Sequence, residues 1–127
     1  MQYTPELLEH FKRPRHLGAP ANANGCGMVG DPACGDFLVV WIQVEEGRIE
    51  DIGFLCRGCP AAIGTASAMT TLALGRTLEQ ARAITPEHIL EAVGGLPSVK
   101  VHCSNLGAAA LHNAIRDYLD EMESGGT

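Results

Sequence analysis

Lysine is nearly absent from this chain: Lys12 and Lys100 are the only two in 127 residues, and nine basic side chains stand against fifteen acidic ones, a net charge of -6. A nucleic-acid backbone is held by a concentrated basic face, so no nucleic-acid groove is expected. Also missing is any run near the roughly 20 apolar residues of a membrane span. Met1 to Leu8 lacks the basic-then-apolar layout of a secretory signal, with Glu6 and Glu9 interrupting it early, which makes the cytoplasm the expected compartment. There is no internal repeat and no low-complexity stretch. With 46% apolar and 19% charged residues the composition is globular, and the length suits one domain over residues 1–127. What is plentiful is cysteine, five in all, an odd number that excludes complete disulfide pairing. In a reducing compartment such thiols serve more often as metal ligands or reactive groups than as cross-links.

The order of elements follows from capping and periodicity. Thr4-Pro5-Glu6 opens a first helix that carries Leu7, Leu8 and Phe11 on one face and stops before Pro14. Residues 13–36 are rich in Gly, Pro and Asn and read as irregular chain with a short strand around Cys26 to Val29. Phe37 to Val44 and Ile49 to Cys56 are β-branched and aromatic runs joined by Glu45-Glu46-Gly47-Arg48, a β-hairpin. Pro60 then opens a helix that Gly75 stops, which places Cys59 at its N-cap. Thr77 with Gln80 forms a capping box, and Thr85-Pro86-Glu87 opens a further helix ending at Gly94-Gly95. Leu111, Ala114, Ile115, Tyr118, Leu119 and Met122 recur at helical spacing, so the last helix begins near Cys103 and Ser104, with residues 124–127 expected to fray. Helix, strands, then helices is an α+β order.

On that map Cys34 lies in a turn feeding the first long strand, Cys59 at a helix N-cap and Cys103 at another helix start. Element ends are where side chains distant in sequence converge. A helix N-terminus also favours thiolate, the form that binds metal and attacks sulfur. Three thiols need a fourth donor for a tetrahedral iron or zinc site; Asp36 and His102 are the neighbours that qualify, and the residues leave the choice between them open. A carboxylate is a harder and weaker partner than thiolate, so such a cluster is easier to release. Cys56 makes a C-x-x-C pair with Cys59, yet no second metal-type pair accompanies it, and both Cys56 and Cys26 read as buried strand residues. His10, His16, His88 and His112 have no ligand spacing and are expected in structural or solvated roles, and Trp41 in sheet packing.

Four strings bear a resemblance: residues 3–15, Gly27-Met28-Val29-Gly30-Asp31-Pro32-Ala33-Cys34-Gly35-Asp36, Gly58-Cys59-Pro60-Ala61-Ala62-Ile63, and Leu96-Pro97-Ser98-Val99-Lys100-Val101-His102-Cys103-Ser104. In order and spacing they resemble the U-type iron-sulfur cluster scaffolds, IscU and the N-terminal domain of NifU. The resemblance implies a three-stranded antiparallel sheet with helices on one side. It also implies a scaffold, not an enzyme, on which Cys34, Cys59 and Cys103 hold a transient 2Fe-2S cluster that Asp36 makes labile, with His102 as alternative ligand. Cys103 would accept persulfide sulfur beside Lys100, and zinc could take the site when no cluster is there. The implied partners are a cysteine desulfurase, an iron or electron donor and recipient apo-proteins, with a DnaK-like chaperone at residues 96–100. Ser98 stands where that chaperone segment usually has proline, and Pro60 where glycine is common. A second reading is a zinc-dependent sulfur acceptor that stimulates the desulfurase; the insertion marking that branch is missing from the 44-residue step between Cys59 and Cys103. A third is a C-x-x-C redox module at Cys56 and Cys59. Self-association through the segment bearing Tyr3 is left open.

Overall fold

The structure is a computed structural model that describes residues 3–31 and 36–125. Its strands β1 (Gly25–Asp31), β2 (Asp36–Glu45) and β3 (Arg48–Arg57) form one antiparallel sheet in that order. Around it lie α1 (Pro5–Lys12), α2 (Pro60–Ala73), α3 (Leu78–Arg82), α4 (Pro86–Ala92) and α5 (Cys103–Gly125), with a single 3-10 turn at Ser98–Lys100. The inward residues Leu38, Val40, Ile42 and Val44 of β2 and Ile52 and Phe54 of β3 are buried under α2 and α5, as a period of two requires of a sheet covered on one face, and a register shift opposite Gln43 and Val44 brings Ile49 inward as well. The opposite face carries Trp41, half-buried between Cys26 and Gly53, and the exposed Met28 and Leu55.

The hairpin turn is made by Glu46 and Gly47, both at positive φ (54° and 76°), the two-residue geometry that matches strand twist. The capping residues behave as their chemistry dictates. Thr4 accepts from the Leu7 amide while its hydroxyl donates to the Val93 carbonyl, which fastens α1 to the end of α4. Thr77 and Gln80 form the expected capping box, and Thr85 forms another in which His88 Nδ1 accepts from the Thr85 amide at 3.0 Å.

Three expectations need correction. The first strand is seven residues long, not a short piece around 26–29, because its length is set by a partner remote in sequence. Cβ atoms at Gly25 and Gly27 would collide with the α5 backbone at Ala114 and Ala110, so only glycine lets α5 lie this close. The open edge of β1 is then met from α5 by Asp117, which accepts from the Cys26 amide at 2.9 Å, and by Asn113, which donates to Met28. Cys26 itself is exposed and is no core residue. Met122 is also exposed (61%), since α5 has run past the sheet there.

Gly27→Val should cost about 2 kcal/mol or more through overpacking against backbone that cannot yield. Thermal unfolding followed by circular dichroism should show a Tm lower by roughly 8 °C or more.

Candidate functional site

β3 runs through Gly58 into α2, and Cys59 takes the N-cap with extended backbone (φ -73°, ψ 168°) while Pro60 supplies the first helical position. The Cys59 side chain makes no regular capping hydrogen bond, and the first-turn amides of Ala61 and Ala62 lie near enough to its sulfur to favour the thiolate. α5 begins at Cys103, directly after the turn at Val101 and His102. Both helices pack on the same face of the sheet, and the first turns of α2 offer Ala61 and Ala62, small enough for α5 to approach. Thr65 Oγ1 donates to the Ala61 carbonyl at 2.7 Å and lies 3.4 Å from the Cys103 carbonyl, where the two helix starts meet. As a result Cys59 Sγ and Cys103 Sγ, 44 residues apart in sequence, stand 3.9 Å apart.

Behind them Leu7, Ala61, Ala62, Ala68 and Val93 form a buried apolar cluster that includes Cys103, itself only 2% exposed. In front lies a cavity of about 160 Å³ whose walls include Phe37, Cys56, Cys59, Lys100, His102 and Cys103. That is the space of roughly five waters. A larger groove of about 530 Å³ between α2, α3 and α4 is lined by Leu72, Arg76, Ile84 and His88 and has no thiol on its walls. His102 is exposed, and its Nε2 lies 3.8 Å from Cys103 Sγ on the side away from the core.

The two thiols are not equivalent. Burial opposes ionisation of Cys59, but the Ala62 amide, the Cys103 thiol, the Ala61 amide and the Lys100 cation all favour the thiolate, and together they hold its pKa below the usual thiol range. Cys103 goes the other way. Burial first, then the charge of Cys59 and the hydrogen bond to it, push its pKa up to about 11, with Lys100 opposing and the Cys56 charge adding a little. This corrects the expectation that a helix start lowers the pKa of both. Of the two thiols, Cys59 is thus the one that ionises first, and Cys103 holds its proton to higher pH. Lys100→Ala removes a cation that favours ionisation of both and should slow iodoacetamide labelling of Cys59 at pH 7 by roughly two- to fivefold, read by peptide-resolved mass spectrometry.

Of the residues named from sequence, Cys59, Lys100, His102 and Cys103 come together around the cavity. Cys34 lies outside the described residues. Of Asp36 only the backbone is described, paired with Asp31 and followed by Phe37 on the cavity wall. Among the described residues no group of three His, Cys, Asp or Glu side chains is arranged to hold a metal ion. Cys56 was read as a buried strand residue; it is half-buried and faces the cavity, which no local pattern announces. The remaining histidines are structural. His10 Nδ1 lies 2.8 Å from Ser67 Oγ, His16 Nδ1 2.9 Å from Thr70 Oγ1, and His112 Nε2 3.1 Å from the Ile84 carbonyl. Tyr3 packs on the Leu7 and Cys103 cluster.

Both the sheet-and-helix architecture and the paired helix-start thiols define a class. The family model described as the NifU-like N-terminal domain matches residues 2–124, and the chain belongs to that family. It is 49% identical over 116 residues to the iron-sulfur cluster assembly scaffold protein IscU 1 of Archaeoglobus fulgidus, covering 91% of this chain and 76% of that one. To the iron-sulfur cluster assembly scaffold protein IscU of Escherichia coli K12 it is 41% identical over 128 residues, covering 98% and 99%. The crystal structure of a nitrogen-fixing NifU-like protein (N-terminal) from Brucella abortus shares the fold, with a TM-score of 0.72 at 17% identity over 92% of this chain and 94% of that one. No helix among the described residues is long and apolar enough to cross a membrane.

Proposed function

We propose that this protein is an iron-sulfur cluster assembly scaffold that builds a 2Fe-2S cluster in the thiol-lined cavity and passes it to apo-proteins. The observation that carries the reading is the 3.9 Å approach of Cys59 and Cys103, brought from two helix starts to the wall of one cavity that also holds Lys100 and His102. Cys34 completes three thiolates, and Asp36 or His102 supplies a weaker fourth donor. Iron-sulfur iron prefers thiolate, so a site with one hard or neutral ligand favours release. Sulfur arrives as sulfane sulfur from a cysteine desulfurase and is accepted on Cys103. Cys103 Sγ lies 3.9 Å from Cys59 Sγ and near Lys100, whose cation favours the thiolate form that attacks sulfur. In the cluster-free form the same soft donors suit zinc. A reducing cytoplasm keeps these thiols available, and the Leu96–Lys100 stretch, with Ser98 exposed on its 3-10 turn, is the contact for a DnaK-like chaperone.

The test is anaerobic assembly with ferrous iron, cysteine and a desulfurase. It should give visible charge-transfer absorption with about two irons and two acid-labile sulfides per cluster, and loss of that absorption as an apo-ferredoxin is added. Protein that takes up no labile sulfide would overturn the reading. Asp36→Cys should slow transfer to the apo-ferredoxin by roughly tenfold, because a fourth thiolate in place of the weak ligand removes the easiest point of exit. Unchanged transfer would move the labile position to His102.

A further inference from the structure

Cys56 is the thiol on the cavity wall that neither the cluster ligands nor the acceptor role uses. It sits on the inward side of β3, the side on which Ile52 (2%) and Phe54 (0%) are sealed in the core. Cys56 is the inward β3 residue that is half open, and what it opens on is the cavity shared with Cys59 and Cys103. It also packs against the apolar cluster that contains Cys103. Three thiols from the end of one strand and the starts of two helices therefore share one small space. Cys56 and Cys59 have the C-x-x-C spacing across a strand-to-helix junction, with Cys59 at the helix N-cap.

Assembly has a chemical requirement that ligands alone do not meet. A desulfurase delivers sulfane sulfur, whereas the cluster contains sulfide, so each sulfur needs two electrons. We propose that Cys56 is the resolving thiol of the site: it displaces the sulfur carried on Cys59 as sulfide, directly into the cavity where the cluster forms. The proposal rests on the scaffold reading above, which supplies the sulfane sulfur. Cys59, with its sulfur 3.9 Å from Cys103, takes the outer sulfur from a Cys103 persulfide and becomes Cys59-S-S⁻. Cys56 Sγ then attacks Cys59 Sγ. The Cys56–Cys59 sulfur bond forms, the bond from Cys59 Sγ to the outer sulfur breaks, and the bonding pair leaves with that sulfur, which also receives the Cys56 proton and departs as HS⁻. Two thiols are oxidised to one disulfide and one sulfane sulfur is reduced to sulfide, so electrons balance within the chain. A dithiol reductant returns the disulfide to two thiols for the next sulfur and restores Cys59 as a ligand.

The experiment uses the full chain, pre-reduced and freed of external thiol under anaerobic conditions, then charged by a desulfurase with one equivalent of cysteine. Released sulfide is assayed, and persulfide and disulfide positions are mapped by peptide mass spectrometry. The wild type should release sulfide in step with a Cys56–Cys59 disulfide. Cys56→Ser and Cys56→Ala should still load sulfane sulfur on Cys59 and Cys103, which shows that they are folded, yet release sulfide at least tenfold more slowly until dithiothreitol is added. Sulfide release unchanged in both variants, or a disulfide joining Cys59 to Cys103 instead, would overturn the resolving role and leave the scaffold reading standing. Failure of any persulfide to reach Cys59 or Cys103 in the wild type would overturn the acceptor reading, and the resolving role with it.

Discussion

Cys59→Ser and Cys103→Ser should each lower the cluster retained after anaerobic assembly by at least about tenfold, with the far-ultraviolet circular dichroism spectrum unchanged. Even partners outside the ligand set of a metal site are commonly worth about 10–100-fold in affinity, and here a soft thiolate is exchanged for a hydroxyl that does not ionise at neutral pH. Structural damage is an insufficient explanation at Cys59, whose side chain is only half-buried and whose place at the N-cap serine fills well. At Cys103, 2% exposed, the hydroxyl must find a partner in an apolar cluster, so Cys103→Ala is the companion variant and should lose the cluster equally. Cys26→Ser should change nothing, because that thiol lies exposed on the sheet face away from the cavity. Loss of cluster in the Cys26 variant, or retention in the Cys59 variant, would place the site elsewhere.

Iodoacetamide at pH 7 should label Cys59 at least about tenfold faster than Cys103. A pKa of about 11 leaves roughly one Cys103 in ten thousand ionised, whereas a thiol below 9.0 is ionised in more than about one molecule in a hundred. Thiolates of low pKa are intrinsically weaker nucleophiles, which returns about a factor of ten. The burial of Cys103 widens the gap again. The pH profiles should separate as well: the Cys59 rate levels off below the ordinary thiol value, and that of Cys103 keeps rising toward pH 11. In Cys59→Ser the charge that opposes ionisation of Cys103 is gone, so its profile should move down in pH. A Cys103 that labels as fast as Cys59 would mean that the proton is shared the other way round.

Local chemistry made much of this fold readable before any coordinates. Thr4 with Pro5, Thr77 with Gln80 and Thr85 with Pro86 cap helices where caps were expected, because each is a contact within four residues. The hairpin was equally plain, and its strands are a residue longer at each end than the apolar runs. β1 was not, since a glycine-rich strand has no alternation to detect; its length is decided by α5, roughly 90 residues away, lying against Gly25 and Gly27. The site divides in the same way. That Cys59 and Cys103 stand at helix starts could be read from Pro60 and from the period of the last helix. Their 3.9 Å separation, the burial that raises the Cys103 pKa and the opening of Cys56 onto the cavity all depend on how α1, α2 and α5 pack together.

Cluster-dependent protection of the thiols would show most directly whether one site holds the cargo. Protein assembled anaerobically is labelled with iodoacetamide before and after its cluster is passed to an apo-ferredoxin, and each cysteine is quantified separately. Cys34, Cys59 and Cys103 should be protected together while the visible absorption persists and should become labelled together as it is lost, with exposed Cys26 reacting at one rate throughout. Labelling of Cys59 or Cys103 at its cluster-free rate, with the absorption intact, would contradict a cluster held between the two helix starts.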